Sequence, residues 1–265
     1  MTKTILITGA TDGIGLETAK MMAPEGHTLL LHGRNPDKLV AAAETVSKIE
    51  GAGEIKTYRA DLSVLPEVEA LADEVKGDFE SIDVLINNAG IFKMSNPLTK
   101  TGYDARFIVN VVAPYLLMKA MLPTLSSNAR VVNLSSAAQA PVDVEGFLNK
   151  RPFSDGDAYA QSKLALTMWS FEMAKELGAN GPMIVAVNPA SFLGSKMVKE
   201  AYGRAGNDLR IGADILTRAA LSNEFADASG RYYDNDRKSF AEPHPDALNS
   251  VKNNRLIQAI ERLIT

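Results

Sequence analysis

Residues 8–22 read TGATDGIGLETAKMM. They follow the leucine- and β-branched run KTILIT at 3–8 and open a helical pattern over about 14–24. Gly9, Gly13 and Gly15 therefore fall at a strand end, a tight turn and the first turn of a helix. Glycine allows the sharp turn and lets backbone amides approach a pyrophosphate, whose negative charge rests at the helix N-terminus. The context predicts a phosphate cradle in the first βα unit of an α/β fold. The spacing is G-x-x-x-G-x-G rather than G-x-G-x-x-G, a difference that bears on function below.

Outward from this loop the same alternation continues. Short apolar runs recur at 27–32 (HTLLLH), 55–59 (IKTYR), 82–86 (IDVLI), 130–134 (RVVNL) and 183–187 (MIVAV), with a further short strand expected at 230–233. Helical patterns lie between them at about 36–50, 65–76, 101–126 and 157–178, and again at 255–264. Continuous apolar strands separated by helices predict a doubly wound parallel sheet of about seven strands, covered by helices on both faces. No linker or repeat divides the 265 residues, so residues 1–265 read as a single domain. The stretches 137–156 and 190–208 are poor in helical pattern and follow predicted strands directly. Ligands of doubly wound sheets bind outside the carboxyl ends of the strands, so these two loops should border the site.

Composition narrows the function classes. Apolar residues make up 46% of the chain, enough for a sizeable core, and the net charge is −4 without a basic block, which argues against a nucleic-acid partner. Cysteine is absent, so disulfides, thiolate nucleophiles and sulfur-ligated metals are excluded. The three histidines, His27, His32 and His244, lack metal-ligand spacing, and no metal site is expected. No charged-then-apolar leader and no apolar run approaching 18 residues is read, so neither a signal segment nor a membrane span is expected and a cytoplasmic location is.

The second predicted strand ends in LHGRN, 31–35. A free ribose 2′-hydroxyl usually meets a carboxylate at this point, whereas a 2′-phosphate prefers arginine. Arg34 is present and no carboxylate is, so NADP(H) is favoured over NAD(H). Asp12, inside the glycine loop, argues the other way.

Tyr159 and Lys163 in DAYAQSKLALTMW, 157–169, are four residues apart on a predicted helix and so share a face. A phenol has an ordinary pKa of about 10, too high for a base at neutral pH. An ammonium nearby favours the phenolate and lowers that value. Each residue alone has a plainer reading, Tyr159 packed on the sheet and Lys163 extending past it. Leu164, Met168 and Phe171 on the same helix read as core, and Asn87 and Asn88 as shapers of the turn after a strand.

With the glycine loop, NNAG at 87–90 and Tyr159-x-x-x-Lys163 in order, the sequence resembles the short-chain dehydrogenases/reductases from residue 4 to about 233. That resemblance implies a Rossmann-type fold and an NAD(P)-dependent oxidoreductase that interconverts a carbonyl and an alcohol by hydride transfer. TGATDGIG matches the family's cofactor motif, implying cofactor contacts from Thr8, Gly9, Thr11, Asp12, Gly13, Ile14 and Gly15. Asp61 and Leu62 match its adenine-contacting pair, and Asn88, Ala89 and Gly90 its NNAG motif. Asn110 matches the helix asparagine, implied to anchor a water in a proton relay. Ser136, second serine of VVNLSSAAQ, matches the catalytic serine that holds the substrate oxygen. Tyr159 is the implied general acid/base, and Lys163 the group that assists it and holds the nicotinamide ribose. VNPASFLGSKM resembles the family's P-G-x-x-x-T segment, implying cofactor contacts from Pro189 and Phe192. Here Ala190 replaces the glycine, and Gly194 stands where threonine is usual, with Ser195 beside it.

The interval of 23 residues between Ser136 and Tyr159, and the later segment GRYYDNDRKSFAEPHPDALN, are similar to the retinol-dehydrogenase-like branch. This implies a lipophilic alcohol or carbonyl substrate, with Phe192, Met197 and Tyr202 as candidates to line its pocket. The family typically pairs the helices corresponding to 101–126 and 157–178 across a two-fold, so a homodimer or homotetramer is expected. Two other functions remain: an isomerase, epimerase or dehydratase that retains its cofactor, and a dinucleotide-sensing protein without turnover. The glycine spacing disfavours the first, and the retention of Ser136, Tyr159 and Lys163 disfavours the second.

Overall fold

Strands rich in β-branched and leucine side chains pair with their sequence neighbours, except that the first strand, which precedes the glycine loop, also pairs with the fourth. The structure, a computed structural model, describes residues 1–194, 203 and 206–264. Eight strands form one sheet: β1 (Thr4–Ile7), β2 (Thr28–Gly33), β3 (Ile55–Arg59), β4 (Ile82–Asn87), β5 (Leu125–Leu134), β6 (Met183–Asn188), β7 (Arg231–Asp234) and β8 (Ser239–Ala241). Their order is β3-β2-β1-β4-β5-β6-β7-β8. The first seven are parallel, and β8 returns antiparallel to β7. The seven-strand expectation holds, with a short eighth strand added at one edge.

Strand periodicity divides the core. Ile5 and Ile7 face one side, where the helices α1 (Gly13–Met22), α2 (Pro36–Ser47) and α7 (Leu209–Leu221) cover them. Leu6, between them, faces the other side with α3 (Leu65–Asp78), α4 (105–121), α6 (Asp155–Leu177) and α8 (Ser250–Ile264). The rod α4 starts as Ala105–Phe107, passes through a π-helical stretch at Ile108–Val112 and continues as Ala113–Met121.

Three departures from the sequence reading have local causes. α7 was not anticipated: Gly212 interrupts its pattern, yet glycine is what lets the helix reach α1, since a Cβ there would lie 2.6 Å from Leu193 Cδ1 and 3.2 Å from Ile14 Cγ2. The short helix α5 (Val144–Leu148) forms inside the loop read as helix-poor, capped by Asp143, whose carboxylate accepts from the Gly146 N–H at 2.8 Å. Ala105–Thr124 is long and apolar enough to cross a membrane by length and composition, contrary to the expectation from apolar runs, but most of it is buried inside the protein.

The strand order reverses between β1 and β4. In doubly wound sheets such a switch point, at the carboxyl ends of the strands, is where ligands bind. The glycine loop, the loop after β4, the end of β5 and the loop after β6 all meet that edge.

Candidate active site

The cradle comes first. Gly9 and Gly13 adopt φ of 67° and 57°, a region costly for side chains with a Cβ. Gly15 is needed for proximity, because a Cβ there would sit 2.4 Å from both Asn88 Nδ2 and the Gly9 carbonyl. Asn88 in turn donates to the carbonyls of Thr8 (2.9 Å) and Gly9 (3.1 Å). The Thr8 hydroxyl accepts from the N–H groups of Asn88 and Ala89, both at 3.1 Å. NNAG and TGATDGIG are thus one unit. At its centre the first turn of α1 is incompletely satisfied: Asp12 accepts from Gly13, and Leu16 donates to the Asp12 carbonyl. Among the described residues no protein acceptor takes the N–H of Ile14 or Gly15. These amides at a helix N-terminus fit a dinucleotide pyrophosphate.

His32, read from sequence only as an unsuitable metal ligand, braces this cradle. It is buried, accepts from the Gly9 N–H through Nδ1 at 3.3 Å, and faces the Ala60 carbonyl through Nε2 at 3.1 Å. That pairing assigns the proton to Nε2. Burial lowers its pKa to about 4, against the opposing effects of the Ala60 hydrogen bond and the Asp61 charge. The neighbouring Asp61 carboxylate accepts from the N–H and hydroxyl of Ser63 at 2.9 and 2.7 Å, which fixes its orientation, with Leu62 buried beside it.

Arg34 lies exposed just beyond β2 and makes no ion pair among the described residues. Asp12, which argued against a phosphate from sequence alone, has its carboxylate 3.6 Å from Lys38 Nζ. The ammonium offsets that charge. Lys38 was missed because its relation to Asp12 depends on where α2 starts, capped by Asn35 with Pro36 at its first position. Thr11 packs under Gly33, where a Cβ would lie 2.4 Å from Thr11 Cγ2.

The chemical groups come from β5, α4 and α6. Ser135 and Ser136 are adjacent but differ. Ser135 is buried and paired with Thr167 Oγ1 at 2.8 Å, whereas Ser136 is half-buried at the sheet edge, its hydroxyl accepting from the Ala138 N–H at 3.1 Å. Lys163 is 3% exposed, and its Nζ donates to the Leu134 carbonyl at 2.6 Å. The same Nζ lies 5.6 Å from the centroid of the Tyr159 ring. Burial lowers the lysine pKa to about 8, so the ammonium prevails at neutral pH but is not a permanent charge.

Asn110 sits in the π stretch, where one extra residue per turn redirects side chains. Its Oδ1 accepts from the Ile91 N–H at 2.8 Å, and its Nδ2 donates to the Ile91 carbonyl and to Ser162 Oγ, each at 2.9 Å. The carboxamide therefore holds the loop after β4. One residue on, Phe92 meets the Tyr159 ring edge-on, with centroids 4.7 Å apart. A Cβ on Gly90 would lie 3.4 Å from Asn110 Oδ1 and 3.5 Å from Lys163 Nζ, so this loop lies directly over the lysine. Asn87, as read from sequence, is structural: it donates to Asn133, which donates to Ser170, each at 2.8 Å within the core.

An ion-pair cluster that sequence did not reveal aligns the two helices. The buried Arg106 pairs with Asp104 at 2.6 Å and with Asp155, fixing the start of α6 one turn before Tyr159. In the loop after β6 Pro189 accepts at its carbonyl from Asn235 Nδ2 at 2.9 Å, and Phe192 is 59% exposed at φ 55°. Ser195, Met197 and Tyr202 lie outside the described residues.

Comparison with known proteins agrees with this geometry. The family model described as short chain dehydrogenase matches residues 3–204. Retinol dehydrogenase 13 of Homo sapiens is 28% identical over 281 residues, covering 99% of this chain and 84% of that protein. Polyprenol dehydrogenase of Homo sapiens is 28% identical over 260 residues, covering 88% and 77%. Among solved structures, a protein from Mycobacterium paratuberculosis superposes with a TM-score of 0.82 at 27% identity, covering 99% of this chain and 93% of that one. A metagenomic short-chain oxidoreductase in complex with NADP gives 0.63 at 27%, covering 84% and 93%. A family match across most of the chain, on a sheet whose switch point carries the matching motifs, shows that the chain belongs to the short chain dehydrogenase family, as an NAD(P)-dependent oxidoreductase acting on CH–OH groups.

Proposed function

We propose that the chain prefers NADP(H) and interconverts a lipophilic carbonyl and its alcohol, with Tyr159 as general acid/base. The observation that carries this reading is Lys163 Nζ, anchored on Leu134 and 5.6 Å from the Tyr159 ring, with Ser136 two residues past the same anchor. When bound, a nicotinamide cofactor would be held by the cradle, Asp61, Leu62, Pro189 and Phe192 and would supply the hydride. The residues handle the proton and the charge. Tyr159 gives its hydroxyl proton to the substrate oxygen during reduction, and the neighbouring ammonium stabilises the phenolate left behind. The Ser136 hydroxyl hydrogen-bonds the same oxygen as charge develops on it. Asn110 keeps Ile91 and Phe92 against this group, which holds the phenol in place.

Arg34 and the Asp12–Lys38 pair support the 2′-phosphate preference. Phe92 and Phe192, together with the retinol and polyprenol named in two relatives, support a lipophilic substrate. A cytoplasmic location and a homodimer or homotetramer belong to the same proposal. Because α8 packs on α6 and its Glu261 binds Tyr115 and Lys119 of α4, pairing through those helices would have to include α8.

The test is to follow reduced-nicotinamide absorbance with a panel of ketones and aldehydes, from small to long-chain. Substrate-dependent loss of NADPH at a higher kcat/KM than NADH supports the reading. Product without net cofactor change would instead indicate an isomerase that retains its cofactor, and no turnover with tight binding a sensor.

A further inference from the structure

Ala190 has φ 117°, a backbone conformation that suits glycine and costs any residue with a Cβ. It stands in the loop after β6, between Pro189 and Phe192, where the related family has glycine. Something must hold it there. The holder is the turn between β7 and β8, residues 235–238.

Asp236 grips the side of the loop around Asn188 and Ser191, while Asn207 holds the far side, its N–H donating to the Phe192 carbonyl at 2.7 Å and its Nδ2 to the Ser191 carbonyl at 3.2 Å. Asp236 Oδ1 accepts from the Ser191 N–H at 2.8 Å, and its Oδ2 from the Ser191 hydroxyl at 2.6 Å. The same Oδ2 accepts from Nδ2 of the buried Asn188 at 2.9 Å, and Asn188 also donates to Asp234 at 2.9 Å. Both neighbours of the 189–190 dipeptide are therefore bound by one carboxylate. Burial raises the Asp236 pKa in part, but the bonds from Ser191 and Asn188 outweigh this and hold the carboxyl below its ordinary range. Asn235 completes the clamp by donating to the Pro189 carbonyl at 2.9 Å.

We propose that Asp236 is a positioning residue for the nicotinamide side of the cofactor site: its carboxylate holds Asn188 and Ser191 so that Ala190 keeps its glycine-like conformation and Pro189 and Phe192 stay in place. The proposal rests on the cofactor reading of that loop given above. Without the carboxylate, Ala190 relaxes toward negative φ and the loop leaves the cofactor. With glycine at 190 the conformation needs no holder.

The test is a double-mutant cycle with Asp236→Ala, Ala190→Gly and the double variant, reading the dissociation constant of NADPH and the melting temperature of the ligand-free protein. With Ala at 190, Asp236→Ala weakens NADPH about tenfold, or about 1.4 kcal/mol. With Gly at 190, the same substitution weakens it less than about twofold, in the same scheme of coupling. Asp236→Asn, which keeps one acceptor oxygen, falls between and guards against a misfolded alanine variant. Equal weakening with Ala and Gly at 190 overturns the proposal. Coupling in the melting temperature without any in NADPH affinity also overturns it, since the clamp would then serve stability alone. A wild-type chain that binds neither NADPH nor NADH would instead remove the cofactor reading itself, and this role with it.

Discussion

The Nζ of Lys163 lies 2.6 Å from the carbonyl oxygen of Leu134, which joins the fourth residue after Tyr159 on α6 to the strand end that carries Ser136. One hydrogen bond thus ties the helix of Tyr159 and Lys163 to the strand end that leads to Ser136, the three residues proposed above to handle the proton. The cost is burial of an ammonium, which lowers its pKa from 10.5 to about 8. Below that pH the group is charged. As pH rises through about 8 the charge is lost, and with it the stabilisation of the phenolate. Carbonyl reduction should therefore fall by up to tenfold per pH unit above about 8. A kcat/KM profile from pH 6 to 10 at constant ionic strength checks this, and a flat limb to pH 9.5 would contradict it.

Tyr159→Phe keeps the ring that Phe92 contacts and removes only the hydroxyl. Turnover should drop by at least about 10²–10⁴, the usual worth of a general acid, with NADPH affinity nearly unchanged. Single-turnover kinetics and fluorescence titration read the two quantities separately. Retained turnover would rule out the assignment.

Arg34→Leu should weaken NADPH by about 1.5–3 kcal/mol, the range for a hydrogen bond to a charged group, and leave NADH nearly unaffected. Lys38→Ala should weaken NADPH in the same direction, because it leaves the Asp12 carboxylate unpaired at the cradle. Calorimetric titration with both cofactors is the measurement. Equal losses for the two would remove the phosphate role.

His32 makes ligand-free stability depend on acid. Its folded pKa of about 4 lies below the ordinary 6.5, so between these values the unfolded chain binds more protons than the folded one. Stability is therefore full above about 6.5 and declines as pH falls toward 4, by up to about 3 kcal/mol from this group. Denaturant melts at pH 7 and pH 4.5 on the wild type and on His32→Gln give the contribution by difference. A wild-type decline no steeper than that of the variant would show that His32 is not its source.

Much of this molecule was legible in its residues because the strands are nearly continuous apolar runs and the motifs occur in chain order. β1 to β7 are the strands that KTILIT, HTLLLH and their successors predict, although β5 begins at Leu125, inside the stretch 101–126 read as helix, and Tyr159 and Lys163 share a helix face as their spacing requires. What escaped has a common character: it depends on contacts distant in sequence. Gly212 weakens the pattern of Leu209–Leu221 in order to let that helix approach Ile14. Ser239–Ala241 is too short to carry a pattern and exists because β7 offers it an edge. Nothing in the sequence around Arg106 marks it, yet it is fully buried between Asp104 and Asp155. Lys38 and His32 gained their places only once α2 and the end of β3 were set beside the glycine loop. Asp236 lies 45 residues from Ser191, which it holds.

The π-helical turn at Ile108–Val112 also sets the phase of the whole α4 rod. One surplus residue in a helix of about 3.6 residues per turn rotates everything beyond it by about 100° relative to everything before. Arg106 upstream and Tyr115 downstream each meet their partners only because that rotation lies between them. Deleting a single residue there would yield a more regular helix whose two ends no longer address the same protein, so this coil is a splice between two screws cut out of step.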